Sequence, residues 1–161
     1  MRAGRPTLVV QRASRASHIP GDATLRRWAR EALPRRAEVT LRFVAEAEGR
    51  RINREFRGRD RATNVLTFVY DAPRGALAGD LVICAPVVAR EAREQGKATE
   101  AHHAHLLVHG LLHLQGLDHE REEEALRMER RERAILRRLG FPDPYALAPG
   151  RPDGRRPGLL K

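Results

Sequence analysis

Three histidines fall within one short run, His109-Gly110-Leu111-Leu112-His113-Leu114-Gln115-Gly116-Leu117-Asp118-His119. On a helix of 3.6 residues per turn, positions four apart differ by only about 40° around the axis, so His109 and His113 project from one face within reach of a common ion. Gly116 offers a helix exit. Its missing Cβ permits the left-handed conformation that ends many helices, and the next three residues could fold His119 back towards the pair. Three imidazole nitrogens suit one Zn2+ ion and leave its fourth position open, as catalytic rather than structural zinc sites do.

The element that must carry these rings runs from about residue 100 to 115. It is apolar on most sides (Ala101, Ala104, Leu106, Leu107, Val108, Leu111, Leu112, Leu114), which predicts a helix crossing the core. An imidazole left there without a partner costs roughly 1 to 3 kcal/mol, and a metal would satisfy several rings together. His102, His103 and His105 precede the triple, and His105 to His109 is again a spacing of four. His105, His109 and His113 drift along a straight helix, so His119 from the turn is the better third ligand. His105 is expected to orient a ligand from behind.

Position 110 decides what chemistry the triple serves. The same His-x3-His-x5-His spacing occurs in a class of zinc peptidases, which place a glutamate directly after the first histidine as general base. Here that position is Gly110, so ordinary proteolysis loses support. Asp118 and Glu120 are nearby carboxylates available for proton transfer or for holding the turn.

The residues resemble the YbeY endoribonuclease family, the rRNA maturation factors, whose signature reads roughly H-G-x-L-H-L-x-G-Y-D-H. This chain departs from it at Leu117, where tyrosine is usual. An upstream block from Ile52 to Phe68 is similar to a second family block, with Ala62, Thr67 and Phe56 replacing the usual proline, serine and tyrosine. Gly79 to Cys84, and Met128-Glu129 through Leu139-Gly140, follow in the expected order. The likeness covers roughly residues 38 to 145.

The resemblance implies a hydrolase of single-stranded RNA with His109, His113 and His119 as zinc ligands and Arg57 as a catalytic arginine. A planar guanidinium can grip two phosphate oxygens and stabilise charge developing at phosphorus. It further implies trimming of the 16S rRNA 3′ end, ribosome quality control, and the small ribosomal subunit with its assembly factors as partners. Water and the RNA 2′-hydroxyl both remain open as nucleophile. Two other readings stand beside this one: an assembly factor with structural zinc, and a metal-dependent hydrolase of another substrate.

Charge agrees with a nucleic-acid partner: 31 Lys and Arg against 21 Asp and Glu give 31 − 21 = +10. Only Lys97 and Lys161 are lysines, so arginine dominates, and arginine suits phosphate recognition. A basic groove of Arg54, Arg57, Arg59 and Arg61 is expected near the metal. One cysteine, Cys84 in the apolar run Leu81-Val82-Ile83-Cys84, excludes a disulfide framework and reads as a buried strand residue. No long apolar span or secretory leader occurs, which predicts no membrane association and a cytoplasmic location.

The remaining pattern predicts an α+β domain over residues 1 to 145: a mixed, mostly parallel sheet of about four strands packed with helices, the histidine helix central. A strand over 7 to 11 precedes a helix capped by Asp22 and closed by Pro34. Val39, Leu41 and Phe43 alternate as a second strand. A short helix of about 50 to 57 buries Ile52 and Phe56 and stops at Gly58. Strands at 65 to 70 and 80 to 84 form an antiparallel pair, and Pro86 opens a helix ending at Gly96. A last helix, acidic at its start and basic at its end, packs Ala125, Met128, Ile135 and Leu139 inward and leaves its charge run as a solvated face. Residues 146 to 161, rich in proline and glycine, read as a flexible basic tail.

Overall fold

The computed structural model describes residues 4–117 and 120–146. The chain runs β1 (Thr7–Ala13), α1 (Asp22–Ala32), β2 (Ala37–Val44), α2 (Glu46–Arg57), β3 (Val65–Tyr70), β4 (Leu77–Cys84), α3 (Ala85–Gln95), α4 (Thr99–Leu114) and α5 (Glu122–Arg138). The strands form one sheet of order β1-β2-β4-β3. β1 with β2 and β2 with β4 are parallel, while β3 returns antiparallel to β4 and forms a free edge. The mixed, mostly parallel sheet expected from the sequence is therefore what the chain builds.

Alternation sorts side chains to the two faces. Val39, Leu41 and Phe43 of β2 and Leu81 and Ile83 of β4 join a core with Leu25 and Trp28 of α1, Leu107 and Leu111 of α4, and Met128 and Ile135 of α5. Leu66, Val82 and Cys84 form a smaller cluster on which Ile52 of α2 and Val87 of α3 pack. Cys84 is 1% exposed, in keeping with the strand role read from its neighbours.

Helix α4 lies on the larger core and runs against the direction of β4. His103 meets the ring of Phe43, whose register partner is Ile83. One stage further on, Gly110 sits on Leu81, and Leu114 then lies over Gly79. Both glycines are consequences of this close approach. A Cβ at 110 would collide with Leu81 Cδ1 and lie 3.2 Å from Cδ2; one at 79 would come within 2.7 Å of the Phe68 carbonyl oxygen and 3.0 Å of Leu114 Cδ2. Position 110 thus faces the sheet.

Local expectations differ in instructive places. Asp22 does not cap α1: Gly21 is the N-cap, and the Asp22 carboxylate is drawn to Arg12 at 2.7 Å. β1 extends to Ala13 because its pairing with β2 continues to Val44. α2 starts a turn earlier than its apolar residues suggest, with Glu46 and Glu48 in its first turn, where acidic charge complements the helix dipole. It ends at Gly58 with φ +70°, as expected. Phe56 is not buried: it is 63% exposed and leans edge-on against Phe68, centroids 5.4 Å apart. The turn after β3 is shorter than expected, because β4 already begins at Leu77.

The Gly110 contact yields a direct test. Alanine is favoured over glycine within a helix by about 1 kcal/mol, yet overpacking costs about 1 to 3 kcal/mol. Gly110→Ala is expected to lower stability in urea denaturation, and its cost to shrink in a Leu81→Ala background. A stabilised Gly110→Ala protein would contradict this packing.

Candidate metal centre

The two histidines of the central pair stand on successive turns of α4, His109 4% exposed and His113 half-buried. Each has its Nδ1 engaged. His109 Nδ1 lies 2.9 Å from Glu132 Oε1, and His113 Nδ1 lies 3.1 Å from the Leu117 carbonyl oxygen. Both acceptors require a hydrogen on Nδ1, so the neutral rings carry their ligating lone pair on Nε2. Leu117 is delivered by the helix exit: Gln115 closes α4 and Gly116 takes φ +94°, as its missing Cβ allows.

Glu132 was not legible as part of the site, because the charge-rich α5 reads as a solvated face. Yet Glu132 is 0% exposed. The readable signal is its spacing: it stands four residues after Met128 and three before Ile135, on the apolar face. Burial pushes its carboxyl towards the neutral form, but hydrogen bonds from His105 and His109 overcome this and hold its pKa to about 2. His105 Nε2 is 3.0 Å from Oε1, and the Tyr145 hydroxyl donates to Oε2 at 2.8 Å. Hydrogen bonds to a charged group contribute about 1.5 to 3 kcal/mol each, enough together to offset a desolvation penalty of several kcal/mol. His105 therefore reaches His109 from behind, through Glu132. Burial also raises the Tyr145 hydroxyl pKa, with the Glu132 charge adding to the effect, so it stays a donor.

His102 and His103 face elsewhere. His102 Nε2 meets Glu91 of α3 at 2.9 Å, and Asn64 Nδ2 meets the same oxygen at 3.1 Å. His103 is 1% exposed, with neither ring nitrogen hydrogen-bonded among the described residues. Burial, aided by His102, holds its pKa to about 4.

The predicted arginines gather around the end of α2 and the loop beyond it, all of them exposed. Asn53, 3% exposed, holds that loop from both sides: its carbonyl accepts from the Arg59 N–H and its Nδ2 donates to the Arg61 carbonyl at 2.8 Å. Arg50 clamps Asp60 through two 2.8 Å bonds, and Arg54 lies 3.7 Å from the same carboxylate. Arg57 reaches the free edge of β3, donating to the Thr67 carbonyl at 2.7 Å with its guanidinium 5.3 Å from the Phe68 ring centroid. Thr67 pairs with Leu81, the residue under Gly110. Arg57 is thus tethered at the edge of β3, with its guanidinium over Phe68 on the sheet face where Ile52 of α2 and Val87 of α3 pack.

Asp118 and His119 lie outside the described residues, as does the predicted tail from 147 onwards; Glu120 is exposed. Among the described residues no three His, Cys, Asp or Glu side chains converge as a metal-binding group. The donor chemistry nevertheless fits zinc: two imidazoles one turn apart, each prepared to offer Nε2, with ligand-orienting acceptors behind them.

Fold and site together define an α+β protein whose core helix presents a paired set of oriented imidazoles. The model of the family described as Endoribonuclease YbeY matches residues 14–140. A protein named Endoribonuclease YbeY from Aromatoleum aromaticum is 61% identical, covering 88% of this chain and 94% of that protein. One of the same name from Nitrosomonas eutropha is 51% identical over 87% of this chain and 99% of its own length. The solution structure of TM1509 from Thermotoga maritima shares the fold, with TM-score 0.54, 22% identity, and coverage of 89% and 99% of the two chains. The chain belongs to the YbeY endoribonuclease family, a family of RNA-cleaving hydrolases.

The buried histidines predict an acid-labile fold. His103 and His105, both held to about 4 chiefly by burial, are neutral in the native state, whereas unfolded histidine titrates near 6.5. The unfolded chain therefore takes up more protons as pH falls from about 6.5 to 4. Stability present above 6.5 is lost across that window, by up to about 1.4 kcal/mol per pH unit for each ring. Denaturant unfolding at stepped pH is expected to give a shallower slope in His103→Leu than in the parent. An identical slope would contradict the assignment.

Proposed function

We propose that the chain is a zinc-dependent endoribonuclease specific for single-stranded RNA, acting at the 16S rRNA 3′ end in rRNA maturation and in ribosome quality control. The observation that carries this reading is the His109 and His113 pair, each with its Nδ1 hydrogen held by an acceptor, which puts the ring lone pair on Nε2. His119 completes the set around one Zn2+ ion. When bound, zinc supplies a Lewis acid for a phosphoryl oxygen and lowers the pKa of water from 15.7 to about 7.

The chain's own residues bind and orient. His109 and His113 hold the ion, while Glu132 and the Leu117 carbonyl hold the rings. Arg57 spends one of its five N–H donors on Thr67, leaving others for a phosphate at the sheet edge. Arg54, Arg59 and Arg61 line the approach as a basic groove, tracking the backbone of a single strand. Residues 1 to 145 form the catalytic domain. Partners are single-stranded RNA, above all rRNA, and the small ribosomal subunit with its assembly factors. The place of action is the cytoplasm; among the described residues no helix is long and apolar enough to cross a membrane. A peptidase is disfavoured, because a side chain at position 110 would run into Leu81.

The expected result is one zinc ion per chain, cleavage of single-stranded RNA but not of peptides, and loss of both zinc and cleavage in folded His113→Ala. RNA affinity is expected to fall with salt, each phosphate contact contributing about −0.7 to the logarithmic slope. Cleavage persisting in zinc-free, highly purified His113→Ala would overturn the mechanism. RNA binding without cleavage by the zinc-loaded parent would favour an assembly factor.

A further inference from the structure

We propose that Glu132 is a positioning residue of the metal centre: it fixes His109 in the tautomer that ligates through Nε2, and Tyr145 in turn fixes Glu132. The inference rests on the reading of His109 as a ligand.

The observations are specific to one carboxylate. α5 carries many charges, yet Glu132 is its only 0%-exposed acid among the described residues, and it meets α4 rather than solvent. Its two oxygens have different tasks. Oε1 takes His109 Nδ1 at 2.9 Å and His105 Nε2 at 3.0 Å, and Oε2 takes the Tyr145 hydroxyl at 2.8 Å. A deprotonated carboxylate can only accept. Were the His109 hydrogen on Nε2, the Nδ1 lone pair would confront Oε1 across 2.9 Å, so the pairing selects the opposite tautomer.

Tyr145 is itself built into place. Its backbone N–H donates to Asp143 Oδ1 at 2.8 Å, Arg133 bonds the same oxygen at 3.2 Å, and the Arg133 guanidinium lies 5.2 Å from the tyrosine ring centroid. The segment just after α5 thereby returns to close the carboxylate's second oxygen. His105, 3.3 Å from the Tyr145 hydroxyl as well, braces the same group from α4. A carboxylate so braced holds one orientation, and so does the ring it holds.

The test uses the full chain, Glu132→Gln, Glu132→Leu and Tyr145→Phe, each checked for native circular dichroism. Zinc affinity is measured by competition with a chromophoric chelator, and nitrogen-15 NMR of the metal-free protein reads which His109 ring nitrogen bears hydrogen. The parent is expected to show hydrogen on Nδ1. Glu132→Leu is expected to lose that fixed tautomer and to bind zinc 10- to 100-fold more weakly. Glu132→Gln keeps the shape without the charge and is expected to fall between, with Tyr145→Phe showing a smaller loss. A merely structural carboxylate would change stability but move neither tautomer nor affinity in folded variants. If Glu132→Leu does not fold, unchanged tautomer and affinity in both Glu132→Gln and Tyr145→Phe overturn the proposal. Failure of the parent to bind zinc would instead defeat the metal reading, and the tautomer measurement would still judge Glu132 by itself.

Discussion

Helix α4 is enclosed by the sheet, α1, α3 and α5, and under this burial the imidazoles of His102, His105 and His109 find hydrogen-bond partners within the protein, while His103 packs edge-on against Phe43. Five rings stand on it, and water cannot serve those in the core. Each solution binds α4 to a different neighbour: His102 to Glu91 of α3, and His105 and His109 to Glu132 of α5. Glu132 can be buried as an anion because those rings and the Tyr145 hydroxyl donate to it, and the two rings are oriented because it accepts. Site geometry and helix packing are thus one arrangement.

The same constraint explains the glycines. Gly110 and Gly79 bring α4 and β4 close enough for Leu81 and Leu114 to fill the space between them. That contact fixes the height of His109 over the sheet. The register then carries the information sideways, from Leu81 to its partner Thr67 on the edge strand, whose carbonyl holds Arg57. Asn53 and Asn64 secure the loop before β3: Asn53 at Arg59 and Arg61, and Asn64 through its carbonyl to the Cys84 N–H and through its amide to Glu91. Glu91 therefore joins the start of α4 to the end of that loop. Two segments distant in sequence, one bearing histidines and one bearing arginines, are referred to a common frame.

Much of this was legible in the sequence where periodicity or chain-breaking residues speak. The strand alternation of Val39, Leu41 and Phe43, the exits at Gly58, Gly96 and Gly116, and the all-round apolar character of α4 each follow from a local rule. What escaped depends on tertiary contact. Phe56 has an apolar side chain at a helical spacing, but it stands 63% exposed and leans only edge-on against Phe68 among the described rings. Asp22 has the side chain of a helix cap, but Arg12 from the neighbouring strand competes for it. Glu132 is hidden among the charges of α5, and only its place on the Met128 and Ile135 face marks it; its histidine partners lie more than twenty residues away. In the sequence Gly110 marks a missing base; in the fold it has a packing role against Leu81, which only tertiary contact can show.

The central claim is that zinc is held by imidazole nitrogens offered by the turn-spaced pair and a third histidine. X-ray absorption at the zinc edge of the loaded full-length protein reads this directly. The account predicts a first shell of three imidazole nitrogens at about 2.0 to 2.1 Å completed by a light oxygen ligand. A sulfur shell near 2.3 Å, or a shell of oxygens without imidazole multiple scattering, would contradict it.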